Sequence, residues 1–356
     1  MRKWFIVFSI LLLAVSSVAQ AQENTVTLTL AGFAVPREAY GEIIPLFQAY
    51  WLEETGQTVI FEESYLASGA QSRAVIGGFE ADIVALSLED HVTRIATAGL
   101  ITRDWQDNAN NGTVSASVAV LLVRASNPEG VTDWADVVGR GLDVITPNPA
   151  TSGAAQWNVM AAYGAAYRGF VDGYSADAEG ALQFITALYT DVLVLDADGR
   201  ESFLTFERGI GDVAITYENE YYAGVNAGNG DQYEVVYPTS TILIENPIAV
   251  VDVYAEKHGV LEVADAFVAF TYTPQAQAIF ARNGFRPAYE RVLTPSEVEG
   301  EPDILTLVPT VELDEERFPP IEDLFVIDTF GGWVEVVPTF FGEEGIFTRM
   351  IEEVKG

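Results

Sequence analysis

Two turns of small residues lie where an extended run gives way to a helical pattern, and chemistry is first expected there. Ser68-Gly69-Ala70 opens one helix, and Pro149-Ala150-Thr151-Ser152-Gly153-Ala154 opens another. A helix N-terminus carries unpaired N–H groups and a partial positive charge, and small residues let an anion approach the backbone. The plainer reading is that Ser68 and Ser152 simply cap their helices. One such turn on each half of the chain favours a shared anion cleft.

Other chemistries are poorly supplied. The chain has no cysteine, which excludes disulfides, thiol catalysis, Cys-ligated zinc, iron–sulfur clusters and a lipidated cysteine anchor. Its two histidines, His91 and His258, sit in charged helical settings and read as surface residues. No G-x-S-x-G elbow, phosphate loop or H-E-x-x-H helix is present. Asp196-Ala197-Asp198-Gly199 resembles a piece of a calcium loop without the remaining ligands. Tyr221-Tyr222 and the scattered tryptophans read as core or cleft lining. No catalytic residue, metal or cofactor is therefore expected.

The turns need a scaffold, and extended runs alternate with helical patterns as in parallel βαβ units. Strands are predicted at 25–31, 58–62, 83–86, 142–146 and 213–217. Helices are predicted at 36–51, 68–76, 152–167, 178–189, 260–272 and 274–282. Two long apolar runs, 114–123 and 248–253, read as crossovers between two lobes. The expected division is a first lobe at 22–113, a second at 114–247, and a return to the first at 248–356 ending in a helical segment. The Pro- and Glu-rich stretch 291–320 reads as a solvated arm or linker.

Residues 1–21 carry Arg2 and Lys3, then a mostly apolar run from Trp4 to Val18, then Ala19-Gln20-Ala21. This reads as a secretory signal peptide, so the mature protein is expected to be exported and soluble. An uncleaved signal serving as an anchor is the alternative. The 356 residues are 49% hydrophobic and 20% charged, as in globular proteins. Eighteen basic residues face 52 acidic ones, a net charge of -34 that argues against nucleic-acid binding.

Several motifs together resemble the periplasmic sulfate- and thiosulfate-binding proteins of ABC importers. They include Pro36-Arg37-Glu38, Ala67-Ser68-Gly69-Ala70-Gln71, Phe79-Glu80-Ala81-Asp82-Ile83-Val84 and Asp133-Trp134. Val144-Ile145-Thr146-Pro147-Asn148-Pro149, Ser152-Gly153-Ala154-Ala155-Gln156-Trp157-Asn158 and Glu207-Arg208-Gly209-Ile210-Gly211-Asp212-Val213 continue the match. Glu218-Asn219-Glu220 and Phe330-Gly331-Gly332-Trp333 complete it. The resemblance covers nearly the whole mature chain.

It implies an α/β, two-lobed class II periplasmic binding protein fold. Each lobe is then a doubly wound sheet flanked by helices, with the ligand cleft between them. It also implies a monomer that closes on a dehydrated oxyanion and presents it to permease subunits, without catalysis. In such proteins backbone N–H groups, a serine hydroxyl and an indole N–H hold the anion, with no paired cation. By motif the contacts fall on Ala34, Ser68, Ser152, Gly153, Ala154, Gly199 and Tyr217. Ala34 stands where the family commonly has aspartate, Ala154 where it has a second glycine, and Tyr217 where it has tryptophan. An indole only donates, whereas a phenol also accepts, which suits a protonated oxyanion better. Sulfate or thiosulfate is the expected ligand, with phosphate, molybdate or an organosulfonate as alternatives. A sensory module and a secreted hydrolase are the competing functions.

Overall fold

A computed structural model describes residues 24–295 and 304–355, so the signal segment 1–21 lies outside it. The chain opens on β1 (Thr25–Phe33), in which Leu28, Leu30 and Ala31 are fully buried. Pro36 stands just ahead of α1 (Arg37–Thr55). Its apolar spacing turns Tyr40, Ile43, Ile44, Phe47 and Trp51 inward, and a left-handed Gly56 ends it. β2 (Thr58–Leu66) pairs in parallel with one edge of β1. After α2 (Ser68–Ile76), β3 (Ile83–Ala85) pairs in parallel with the other edge.

α3 (Glu89–Thr97) leads to β4 (Thr113–Arg124), buried along nearly its whole length. A second set follows: β5 (Val144–Pro147), α4 (Gly153–Tyr167), α5 (Ala178–Thr190), β6 (Val192–Asp196), α6 (Gly199–Glu207), β7 (Val213–Tyr217), α7 (Glu218–Asn226) and β8 (Tyr233–Val236). β9 (Ser240–Val250) returns to the first set. The expected crossover at 248–253 therefore begins earlier and ends at Val250. Asp252 leaves the sheet because its carboxylate accepts the Thr102 N–H at 2.8 Å and opens a helix.

Three helices follow, α8 (Asp252–His258), α9 (Leu261–Thr271) and α10 (Pro274–Arg282), then β10 (Arg286–Pro287). β11 (Tyr289–Thr294) pairs antiparallel with β12 (Ile304–Pro309), so part of the expected arm is a two-stranded ribbon. Arg291 fastens it, reaching Glu245 at 2.8 Å and Asp328 at 2.8 Å. β13 (Asp323–Phe325), α11 (Gly332–Val336) and α12 (Ile346–Lys355) complete the described chain.

The main sheet runs β2-β1-β3-β9-β4-β7-β5-β6. β4 changes partner midway: Thr113–Val118 pairs with β9, and Ala119–Val123 with β7. β9 does the same, passing from β4 to an antiparallel pairing with β3. Two long strands thus join two βα sets, and the carboxyl ends of β1, β2, β5 and β7 all lead into residues of the expected site. The motif residues serve this frame. Trp134 is fully buried and donates its indole N–H to Ser240 O at 2.9 Å. Gly331 and Gly332 take left-handed backbone (φ 85° and 76°), which glycine adopts at little cost, and set Trp333 against Trp157 at 4.6 Å. Among the described residues no helix is long and apolar enough to cross a membrane.

Candidate anion-binding site

Three helix N-termini carry most of the residues expected at the site. α4 begins at Gly153 with Ser152 as its cap, the serine Oγ accepting from Ala155 N–H at 3.4 Å. An oxygen used as an acceptor still has its own proton to give. The N–H groups of Gly153 and Ala154 belong to the first turn, where no intrahelical acceptor exists. α6 begins at Gly199, with Asp198 capping it by accepting from Glu201 N–H at 2.9 Å. The Asp-x-Asp-Gly stretch is thus a helix start here. α2 begins at Ser68, which does not cap it. Instead its Oγ accepts the Ser87 N–H at 2.9 Å and meets His91 Nδ1 at 2.7 Å.

These ends come together. A Cβ placed on Gly153 would lie 2.9 Å from Ser87 Oγ, and one on Gly69 would lie 3.2 Å from both His91 Nε2 and Thr151 O. A Cβ on Gly199 would lie 3.1 Å from the Ala154 methyl and 3.4 Å from Val35. Val35 follows the half-buried Ala34 at the end of β1. Tyr217 ends β7, and its hydroxyl lies 2.9 Å from Ser87 Oγ. Trp157 anchors the same loop by donating to Ser87 O at 2.8 Å. Of the residues singled out by motif, Ser68, Ser152, Gly153, Ala154, Gly199 and Tyr217 are buried; Ser68 and Tyr217 both meet Ser87, Gly153 packs close beside Ser87, and Gly199 packs close beside Ala154.

Charge is present but committed. Arg200, next to Gly199, pairs with Glu38 at 2.6 Å and with Glu220 at 2.8 Å, and donates to Val35 O at 3.1 Å. Burial pushes the Glu220 carboxyl up to about 7, against the pull of Arg200. Burial also raises the Tyr217 phenol, which therefore keeps its proton. Glu218 and Arg286 form a second buried pair at 2.7 Å.

His91 departs from the surface position expected of it: it is 3% exposed and packed on Ser68. Burial, helped by Arg94 and Arg73, pushes its imidazole down to about 3. His258 meets the expectation: it is exposed, with its ring between Asp82 and Glu80. Ser87 and His91 escaped sequence reading. Ser87 follows β3, a strand end that could have drawn notice. Nothing in the sequence pairs His91 with Ser68.

A family described as bacterial extracellular solute-binding protein matches residues 28–286. A sulfate-binding protein of Synechococcus elongatus is 42% identical over 93% of this chain and 88% of its own length. The sulfate-binding protein of Escherichia coli is 37% identical over 98% and 99%. A thiosulfate-binding protein of Pseudomonas aeruginosa is 32% identical over 95% of each. Among solved structures, the sulfate-binding protein SubI from Mycobacterium tuberculosis aligns with a TM-score of 0.75 at 36% identity, covering 89% of this chain and 99% of that one. Its architecture is the two-lobed solute-binding fold. By family match, full-length relatives and fold together, the chain belongs to the bacterial extracellular solute-binding proteins, in the group that holds the sulfate- and thiosulfate-binding proteins.

Proposed function

We propose that this protein is an exported receptor that captures sulfate or thiosulfate between two lobes and hands it to the permease of an ABC importer. The carrying observation is the meeting of helix N-termini from both βα sets at buried small residues, beside which Arg200 is already held by two carboxylates. Such a meeting neutralises a dianion with fixed dipoles and hydroxyls. The lobes are assigned to 22–113 with 248–356, and to 114–247, joined through β4 and β9. Ala34, Ser68, Ser152, Gly153, Ala154, Gly199 and Tyr217 are the assigned contacts. One chain supplies both walls, so a monomer suffices.

The Ser68–His91 contact is the feature a hydrolase would use, at 2.7 Å. An imidazole whose basicity has fallen to about 3 is a poor proton acceptor at neutral pH, and this favours binding over turnover. Calorimetric titration with sulfate tests the reading. Ser152→Ala is expected to weaken binding roughly tenfold or more, the worth of one charge-assisted hydrogen bond. Ser152→Gly, which costs the helix cap only a few tenths of a kcal/mol, is expected to do the same without loss of fold. An unchanged dissociation constant in both would remove this site.

A further inference from the structure

The buried His91 ring lies against the Ser68-Gly69 turn. Its Nδ1 is 2.7 Å from Ser68 Oγ, and its Nε2 and the Thr151 carbonyl oxygen each lie 3.2 Å from the point that a Cβ on Gly69 would occupy. Ser68 opens α2 in the first set, and Thr151 precedes the Ser152 cap in the second. The ring thus touches one wall and borders the other.

The number of protons on the ring decides what Ser68 can offer. With its one proton on Nε2, a neutral ring has a bare Nδ1 that takes the Ser68 hydroxyl proton and leaves none for a ligand. With that proton on Nδ1, the hydroxyl is free, but Nε2 becomes a bare acceptor on the side of another acceptor, the Thr151 carbonyl. The doubly protonated ring resolves both. Ser68 Oγ then accepts from Nδ1–H and, at 2.9 Å, from the Ser87 N–H, and its own proton is left for an anion.

Burial, Arg94 and Arg73 all oppose that charge in the ligand-free protein. On α3 itself Asp90 is spent on Arg94 at 2.6 Å, and Glu89 accepts from Gln106 at 3.0 Å. Of the elements packed on α3, α2 brings Arg73, β9 brings Glu245, which is spent on Arg291 at 2.8 Å, and α11 brings the exposed Glu335. Among the described residues no carboxylate pairs with the ring. A bound anion would supply the charge that is missing. Held on the Ser68 hydroxyl, it stands two hydrogen bonds from Nδ1, near the ~4–6 Å at which an opposite charge favours the charged form.

We propose that His91 is a positioning residue that takes up one proton as the dianion binds, turning the Ser68 hydroxyl onto the ligand and placing a positive charge behind it only in the complex. This deepens the receptor reading above and rests on it. Glu220, buried beside Arg200, is the rival destination for such a proton.

The test is calorimetric titration of the full exported chain with sodium sulfate at pH 7 and at about pH 4.5, in buffers of low and high ionisation heat. Sulfate stays a dianion across this range. Wild type is expected to take up a proton with the anion at the lower pH, and His91→Asn to take up none. The gain in affinity from the higher to the lower pH is expected to be about tenfold larger in wild type, since the acidic surface loses charge alike in both. If the substitution disturbs the buried turn, ring NMR of wild type keeps the test open, because His91 and His258 are its only imidazoles. At the lower pH the His91 ring is expected to be neutral without sulfate and protonated with it. Proton uptake that survives in His91→Asn, or a ring that stays neutral in saturating sulfate, would overturn the proposal while the receptor reading stands. No sulfate binding at either pH would overturn both.

Discussion

His91 is neutral in the folded chain down to about pH 3, whereas an unfolded chain protonates it below about 6.5. Between those values the unfolded state holds the extra proton, so this residue's contribution to stability falls as pH falls through that window. The slope approaches about 1.4 kcal/mol per pH unit. Urea unfolding at pH 7 and at about pH 4.5 is expected to show wild type losing more stability than His91→Asn. Equal losses would count against a buried neutral ring. Legibility at this scale follows range. Ser68, Ser152 and Gly153 draw notice because small residues at a strand-to-helix turn carry a local signal, whereas Gly199 is reached only through the family resemblance. The Ser87–Tyr217 contact joins positions 130 apart, and the Ser68–His91 contact positions 23 apart. No periodicity reports such meetings, which packing alone decides.

α1 and α6 meet through the bidentate grip of Arg200 on Glu38, a contact between the two assigned lobes. Arg200 keeps Glu220 when Glu38 is neutralised, so Glu38→Gln weakens the join without stranding a buried charge. The Glu38 side chain is 52% exposed, and an exposed pair contributes about 0.2–1 kcal/mol. Stopped-flow measurement of sulfate release is expected to give a dissociation rate up to about fivefold faster in the variant. An unchanged rate would mean that the pair does not hold the closed form. Helices with strong start signals, such as α10 with Thr273 as cap and Pro274 at its first position, were readable to the residue. The β11–β12 ribbon was not. Its composition is that of a loop, and Arg291 docks through Glu245 and Asp328, residues remote in sequence.

The molecule as a whole repels what it is proposed to bind. A net charge of -34 sets up a negative field that salt screens within about 10 Å at 0.1 M. Most of the assigned contacts are buried, so salt should act on the approach and little on the hold. Sulfate association rates are expected to rise with added sodium chloride while dissociation rates stay nearly constant. A fall in association rate with salt would reveal a local positive funnel instead. The two-lobed plan was legible in the alternation of strands and helices. The partner change within β4 and β9 was not, because register belongs to pairs of segments. That partner change also governs the order of assembly. β3 finds its outer neighbour only in β9, and Thr102 is tied to Asp252, 150 positions later. A chain emerging N-terminus first leaves the β3 edge open until β9 arrives. The stretch from β4 to β8 carries its own partners and can pair as soon as it emerges. The middle of the sequence is thus poised to fold first and the beginning last, through a slow, long-range closure.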